Sequence, residues 1–314
     1  MRAYLFRRLF GTLLTLFIVV TLVFVITNVI PGSPAALILG EDRTLEQVRD
    51  LDRELGLDRP LPLRFAVWLA GVLTGDLGTS YFSGAKVSEV ILQRLEPTLI
   101  LTATSAILAV GLGVSLGVLA ALFRGGAFDI GARITALTAA AMPNFWLGLL
   151  LILLLSLYWR LLPAAGYVSF FENPGDAWRY IILPSITLGA SHAGIVSRVA
   201  RANLLEEFGA DYLRTARAKG LSPWSVVTRH ALRNSLVSTL GVVGVTLALL
   251  IGGSVVTETV FAVPGIGRLL VESVLRRDFP MIQGTILVIA LLVALVNFLV
   301  DGAYALIDPR IRYD

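Results

Sequence analysis

The segment at residues 97–122, PTLILTATSAILAVGLGVSLGVLAAL, contains no charged side chain over its whole length. About 20 apolar residues in a helix cross the roughly 30 Å hydrocarbon core of a bilayer, so this segment is long enough to span one. Its apolar residues run continuously and do not alternate as in a membrane barrel, which favours a helix. Of the 314 residues in the chain, 56% are hydrophobic and 15% are charged. The sequence therefore predicts an all-α integral membrane protein.

Five further apolar runs complete a set of about six transmembrane helices, and charge, Pro or Gly bounds each of them. The six predicted spans are residues 9–30, 97–122, 134–159, 181–195, 236–256 and 284–300. We expect the short fourth span to extend to about Ala202. We expect Pro143 to kink the third span, because proline removes a helical hydrogen bond.

Basic residues are distributed unequally between the two sides of the predicted membrane protein. Fourteen Arg and Lys lie in the terminal tails and in the loops around 124–133 and 198–233, against five in the short loops on the opposite side. Positive charge marks the cytoplasmic side, so both termini are predicted to be cytoplasmic in a multi-pass plasma (inner) membrane protein. The same asymmetry explains the net charge of +4 without nucleic acid as a partner.

Three regions follow from this topology. Residues 1–30 form an N-terminal transmembrane helix, residues 31–96 an extracytoplasmic subdomain, and residues 97–314 a five-helix core. The subdomain begins at the turn-rich IPGSP (30–34), contains an amphipathic stretch at 45–55 and ends at GDLGTS (75–80) and the residues that follow. Two interpretations of it stay open: a cap over the membrane helices, or a docking surface for an extracytoplasmic partner.

The predicted cytoplasmic loop at residues 203–234, which we call the elbow, contains residues that are typical of helix caps and helix ends. Residues 203–208 continue the fourth span as a helix, and Asp211 is predicted to cap a helix that ends at Gly220. Ser222 is predicted to cap a second short helix with Pro223 in its first turn. Such a broken helix at the membrane surface suits binding by another protein, but the residues alone favour a solvated element held by arginine and anionic membrane lipid.

The elbow resembles the coupling motif of binding-protein-dependent ABC permeases, whose pattern is E-A-A, three residues, Gly, nine residues and I-x-L-P. Arg214, Thr215 and Ala216 stand at the E-A-A positions and Gly220 at the Gly, while the HALR that begins at His230 replaces I-x-L-P. RTARAKGL followed by RHALRN is similar to the dipeptide, oligopeptide and nickel branch. Arg214 departs from the consensus Glu, so a salt bridge made by that Glu elsewhere does not transfer to this chain.

Other motifs extend this resemblance over essentially the whole chain. They are RRLF at the start, GDLGTS (75–80), MPNFWLG (142–148), LPAAGY (162–167), IILPSITLG (181–189), ETVFAVPGIGRLL (258–270), RRDFPMIQG (276–284) and the terminal DPRIRY. The resemblance implies a type I ABC importer permease fold. It also implies three kinds of protein partner: a second homologous permease, which forms the translocation pathway with this chain, two ATPase subunits and an extracytoplasmic solute-binding protein.

The resemblance assigns functions as well as partners. The residues expected to couple to the ATPase are Arg214, Thr215, Ala216, Lys219, Gly220, Leu221, Ser222, Pro223 and His230. Gly220 would permit the tight break, and Ala216 would keep the contact surface close. The solute is expected to be a dipeptide or oligopeptide, with nickel or a glutathione-type solute as the alternative within the branch. ATP and Mg would be bound by partner subunits, with no cofactor in this chain.

Ionisable groups within or beside the spans are candidates for a pathway or gate, because such groups are costly in a membrane. His192 either faces the pathway or is a hydrogen-bonded buried histidine. Glu258, preceded by Gly252 and Gly253, is either a gate or a packing anchor. Asp301 is expected to pair with an arginine of the elbow.

Several functions have no support in the sequence. The two lysines, Lys86 and Lys219, do not lie in a P-loop pattern, so ATP energy must come from another subunit. There is no cysteine, hence no disulfide or Cys-ligated metal, and no catalytic or metal constellation stands out. A solitary channel or secondary transporter stays open as a less favoured alternative, because such a protein does not need the elbow. Export is disfavoured by the family resemblance alone.

Overall fold

The computed structural model describes residues 2–29, 33–40 and 43–307, and within these ranges the chain is helical apart from loops and one isolated β-bridge between Thr79 and Lys86. It divides into two compact units. The first holds the N-terminal residues up to Thr98 together with Pro264–Ala294, and the second holds Leu99–Val263 and the residues from Leu295. The predicted turn at Pro31 and the terminal DPRIRY lie outside the described residues.

In the N-terminal part of the first unit, the described residues form four helices. They are α1 (Arg2–Val29), α2 (Pro34–Leu39), α3 (Leu45–Glu54) and α4 (Leu61–Thr74). Thr44 and Gln47 form a reciprocal capping box at the start of α3, the helix that occupies the predicted amphipathic stretch. The apolar helix α4 was not predicted. It ends at Gly75, whose φ of +85° suits glycine, and its 14 residues make it too short to span a bilayer.

The remaining helices carry most of the predicted spans. They are α5 (Val87–Leu122), α6 (Ala127–Ala141), α7 (Asn144–Leu151, continued by a π-helical turn over Ile152–Tyr158), α8 (Pro174–Phe208), α9 (Asp211–Ala218), α10 (Pro223–Ser225, continued by a π-helical turn over Val226–Ala231), α11 (Leu232–Val260), α12 (Ile266–Arg276) and α13 (Phe279–Ile307). Among the residues that the structure describes, five helices are long and apolar enough to cross a membrane, or six if the bent pair α6 and α7 counts as one span. The all-α membrane class is confirmed.

The third predicted span is not a single kinked helix. The chain turns by 106° between α6 and α7, at Met142 and Pro143. Met142 has extended backbone angles, and Pro143 has no N–H to donate to a continuing helix. Hydropathy does not register the break, because the residues on either side of it are apolar.

Glycines bring the helices of the second unit into backbone contact. A Cβ at Gly194 in α8 would lie 2.4 Å from the Ala136 carbonyl oxygen in α6, and a Cβ at Gly117 in α5 would lie 2.5 Å from the Ser197 carbonyl oxygen in α8. Gly113 is equally crowded, whereas Gly111 faces open space. Two of the three glycines at residues 111–117 thus make a close helix approach.

Candidate coupling surface and pathway residues

The first helix of the elbow, α9, ends in a turn that depends on glycine. The Gly220 N–H donates to the Arg217 carbonyl at 3.0 Å and the Leu221 N–H to the Ala216 carbonyl at 3.3 Å, the two hydrogen bonds of a Schellman motif. Gly220 has a φ of +80°, which side-chain-bearing residues adopt at a cost. The predicted break at Gly220 is confirmed.

The start of α9 differs from the prediction. Ala210, not Asp211, is the capping residue of α9, and no side chain caps the helix. The Gly209 and Ala210 N–H groups bond the Glu206 and Glu207 carbonyls, so the chain leaves α8 by a tight turn and Asp211 is already helical. Asp211 still lies in the first turn, where a negative charge is favourable.

The second helix of the elbow, α10, begins as predicted but does not end as a separate short helix. The Ser222 hydroxyl accepts a hydrogen bond from the Ser225 N–H at 3.3 Å, as an N-cap does. Helix α10 then passes through the π-helical turn directly into α11, so the expected separate short helix is the start of the fifth membrane helix. A displacement of the elbow at Ser222 is therefore transmitted to α11 through continuous helical backbone.

The inner face of the elbow is a hydrophobic cluster of the second unit. Its buried members are Ala121, Leu204, Leu213, Ala216, Val226 and Ala231. Ala216 is only 8% exposed, so it packs against the chain's own helices. Ala216 therefore helps to hold α9 against α5 and α8, and the expectation that it also keeps the partner contact close stays a prediction.

The outer face of the elbow is polar, basic and exposed. Arg214, Thr215, Lys219, Gly220, Leu221 and Ser222 are all exposed, and His230 is half-buried in the π-helical turn. Arg214 makes only a long, solvent-exposed ion pair with Asp211, 3.5 Å between Nη1 and Oδ1. Trp224 is 72% exposed, an unusual position for a large apolar side chain in a water-facing loop. Pro223 begins α10, as predicted.

Tyr212 ties three parts of the elbow together. Its hydroxyl donates to Glu207 at the end of α8 and accepts from the Asn234 amide of α11 at 3.0 Å. Burial, followed by the hydrogen bond to Glu207, raises the pKa of the Tyr212 hydroxyl above its ordinary value. Tyr212 is therefore a neutral donor at physiological pH.

A charged pair that sequence reasoning missed lies close to this region. Asp129, at the start of α6, is 1% exposed and accepts two hydrogen bonds from Arg201 of α8: Nε to Oδ1 at 2.7 Å and Nη2 to Oδ2 at 2.8 Å. The Gly125 N–H adds a third at 3.0 Å. In the sequence, Asp129 stands in the predicted loop between Arg124 and Arg133, but its partner Arg201 lies 72 residues away.

The candidate pathway residues all lie in the second unit, and two of them approach the same residue. The His192 Nδ1 lies 3.1 Å from the Leu188 carbonyl oxygen, and a Cβ at Gly253 would lie 3.1 Å from the Leu188 Cδ1. Glu258 is fully buried, whereas Gly252 is exposed with open space beside it. Their role in a pathway stays a prediction, as does the pairing of Asp301, which is half-buried in α13.

Comparisons with known proteins show which family this chain matches. Residues 113–313 match the family described as binding-protein-dependent transport system inner membrane component, and residues 1–102 match its N-terminal companion family. The chain is 42% identical over 313 residues to a probable peptide ABC transporter permease protein of Sinorhizobium fredii, with 100% of both chains covered. It is also 42% identical over 310 residues to a glutathione transport system permease protein of Salmonella choleraesuis, with 99% of each covered.

A solved structure agrees on the fold. A chain of the MetNI methionine ABC transporter in an inward-facing conformation matches with a TM-score of 0.59 at 18% identity, over 70% of this chain and 97% of that one. The spans, the elbow and this match define a membrane-spanning permease subunit with an ABC importer permease fold. The chain belongs to the binding-protein-dependent transport system inner membrane component family.

Proposed function

We propose that this chain and a second, homologous permease together form the translocation pathway of an importer for dipeptides or oligopeptides. ATP hydrolysis in two separate ATPase subunits, which bind the ATP and Mg, drives transport. A solute-binding protein delivers the solute from the extracytoplasmic side. The chain itself carries out no catalysis: it supplies the binding surfaces and the moving helices.

The elbow is the observation that carries this proposal. Its inner face is fixed to α5 and α8 by the buried cluster around Leu204 and Leu213, and its outer face exposes a basic surface with Trp224 at one end. A solitary channel or carrier does not need such a lever. The surface contributed by Arg214, Arg217 and Lys219 favours an acidic groove on the ATPase.

Movement follows from the helical connections of the elbow. A partner that grips residues 214–222 acts on α8 through the tight turn at Gly209 and on α11 through the continuous helix from Pro223. Alternating access requires two packings whose relative free energy changes with ATP binding, and a ligand shifts such an equilibrium only through its different affinity for the two states. The ATPase dimer provides that difference.

The solute class rests on the relatives. Two of them at equal identity are named for peptide and for glutathione, which is itself a tripeptide with free carboxylates. Peptides are therefore the solutes that we propose, with glutathione-type solutes as the alternative and nickel as a further candidate within the branch. The orientation with both termini cytoplasmic completes the proposal.

Uptake by the reconstituted complex tests it. The chain, its second permease, its ATPase and its binding protein are placed in proteoliposomes, and accumulation of a labelled dipeptide, an oligopeptide, glutathione and Ni²⁺ is measured with and without ATP. We expect ATP-dependent uptake of a peptide that requires the binding protein. If only glutathione or only Ni²⁺ accumulates, that solute takes the place of the proposed peptides. Uptake by this chain without its partner subunits and without ATP would overturn the ABC mechanism.

A further inference from the structure

The first unit contains a cavity of about 300 Å³ that neither the elbow nor the proposed pathway uses. It lies where α1 and α4 approach each other, beside the loop after α4. Its apolar wall is made by Phe24 of α1 and by Leu63, Val67 and Trp68 of α4. Phe24 and Trp68 stack at 5.7 Å between ring centroids, so this wall is a packed surface.

The polar wall of the cavity contains two guanidinium groups. Arg59 and Arg64 both line it, and no carboxylate among the described residues forms an ion pair with either. Arg64 is directed towards the Leu57 carbonyl, 3.4 Å from Nη1, and Arg59 lies over Gly56, where a Cβ would be 3.6 Å from its Nε. Guanidinium groups only donate, so their complement is an oxyanion.

Two further groups agree with an oxyanion occupant. The indole N–H of Trp68 is buried and has no acceptor within the described part of the chain, and an indole only donates. Tyr81 also lines the cavity, and burial raises the pKa of its hydroxyl, although the positive charge of Arg64 opposes that shift. The one carboxylate in the wall, Asp76, already accepts from the Gly78 N–H at 2.9 Å.

The apolar surroundings indicate which kind of oxyanion fits. Beyond Phe24, which lines the cavity, α1 carries an exposed apolar surface: Val25, Ile26 and Val29 are between 48% and 65% exposed. Leu63 and Val67 are also at least half exposed although they line the cavity, so its apolar side is open. A helix with an exposed apolar face and arginines near its start is typical of the membrane interface.

We propose that this cavity binds one phospholipid, with the headgroup phosphate between Arg59 and Arg64 and the start of an acyl chain against Phe24, Leu63 and Val67. The Trp68 indole then has a lipid oxygen as its acceptor. The bound lipid fills the space between α1 and α4 and holds the apolar helix α4 at the membrane surface. This site does not depend on which solute the complex transports.

Lipid retention by the assembled transporter tests the proposal. The complex is extracted in native membrane discs, transferred to detergent, and its residual phospholipid is counted by native mass spectrometry. We expect Arg59→Gln/Arg64→Gln to lower the retained lipid by about tenfold or more, because the change removes both charge-assisted hydrogen bonds to the phosphate. Arg49→Gln/Arg53→Gln, which removes two exposed arginines of α3 outside the cavity, should retain lipid as the wild type does.

Two further arms make the result decisive. Arg59→Lys/Arg64→Lys keeps the charge and should retain lipid that the Gln variant loses, and co-purification of the partner subunits verifies that each variant is folded. Equal retention in the wild type and the Gln variant would overturn the site. Binding of inorganic phosphate to the delipidated complex is measured as well. If this binding requires the two arginines and phospholipid does not displace the phosphate, the cavity is a site for a free anion and the lipid assignment is overturned.

Discussion

Arg201 holds Asp129 by a two-pronged ion pair, with Nε–Oδ1 and Nη2–Oδ2 distances of 2.7 and 2.8 Å, and Asp129 is almost fully buried. The pair joins the start of α6 to α8 seven residues before α8 ends and the elbow turn begins. Any motion that the elbow imposes on α8 therefore acts on this pair as well. The glycine approach between α6 and α8 lies farther along the same two helices.

Removal of either charge should destabilise the second unit, because the remaining partner is left buried without its counter-ion. We expect Asp129→Asn and Arg201→Gln each to lower the melting temperature of the detergent-solubilised protein, and the double variant to lower it by less than the sum. Arg133→Gln is the control, since Arg133 is half exposed and its Nε lies 3.5 Å from Asp129. Additive effects of the two single changes would contradict a direct pair.

A methyl group at Gly194 should separate α6 from α8. The new Cβ would lie 2.4 Å from the Ala136 carbonyl oxygen, so the helices must move apart. Overpacking of this kind costs about 1–3 kcal/mol, and thermal unfolding in detergent should show the loss for Gly194→Ala. Gly131→Ala, in α6 with open space at the Cβ, should be neutral or gain up to about 1 kcal/mol in helix propensity. Equal stability of the two variants would show that this approach is not tight.

The Tyr212 network predicts a pH dependence. The pKa of its hydroxyl is raised in the folded state, so its contribution to stability is complete below the unfolded pKa of about 10 and is lost as the pH rises through the folded value. The difference in melting temperature between the wild type and Tyr212→Phe should thus be constant below pH of about 10 and shrink above it. Tyr158→Phe is the control, since Tyr158 is 78% exposed. A difference that grows with alkaline pH would refute the assignment.

The absence of cysteine makes the topology directly measurable. Ser83→Cys, exposed beside the loop after α4, should react with a membrane-impermeant maleimide in intact cells. Thr215→Cys on the outer face of the elbow should react only after the membrane is permeabilised, because positive charge places the elbow inside. The reverse labelling pattern would invert the orientation and put the elbow out of reach of an ATPase.

Local chemistry explains what the sequence could predict. The break at Gly220 and the cap at Ser222 depend on residues within three or four positions, and both were found where turn chemistry required them. The cap at Asp211 was wrong by one residue, because the tight turn after Glu206 and Glu207 extends the chain at Ala210. Propensity alone does not determine how the preceding helix ends.

Features that depend on tertiary structure were not predictable in the same way. Hydropathy does not distinguish a straight third span from the 106° turn at Pro143, since both place apolar residues in lipid or protein. The Asp129 pair joins residues that only folding brings together, and the inward direction of Ala216 depends on the cluster beneath the elbow. The family pattern predicts the coupling residues, but only the fold shows which of them are buried and which are exposed.

Co-purification of the ATPase is the most direct test of the account, with Gly220 as the variable. Gly220 has a φ of +80° and open space at its Cβ position, so a substitution there acts through the backbone and not through a clash. Gly220→Asn, which tolerates this conformation, should retain the ATPase and the second permease, whereas Gly220→Val should retain the permease and lower the ATPase by about tenfold, as a strain of roughly 1–2 kcal/mol predicts. Purification of the wild-type chain without an ATPase, or full ATPase retention by Gly220→Val, would contradict the elbow as the coupling site.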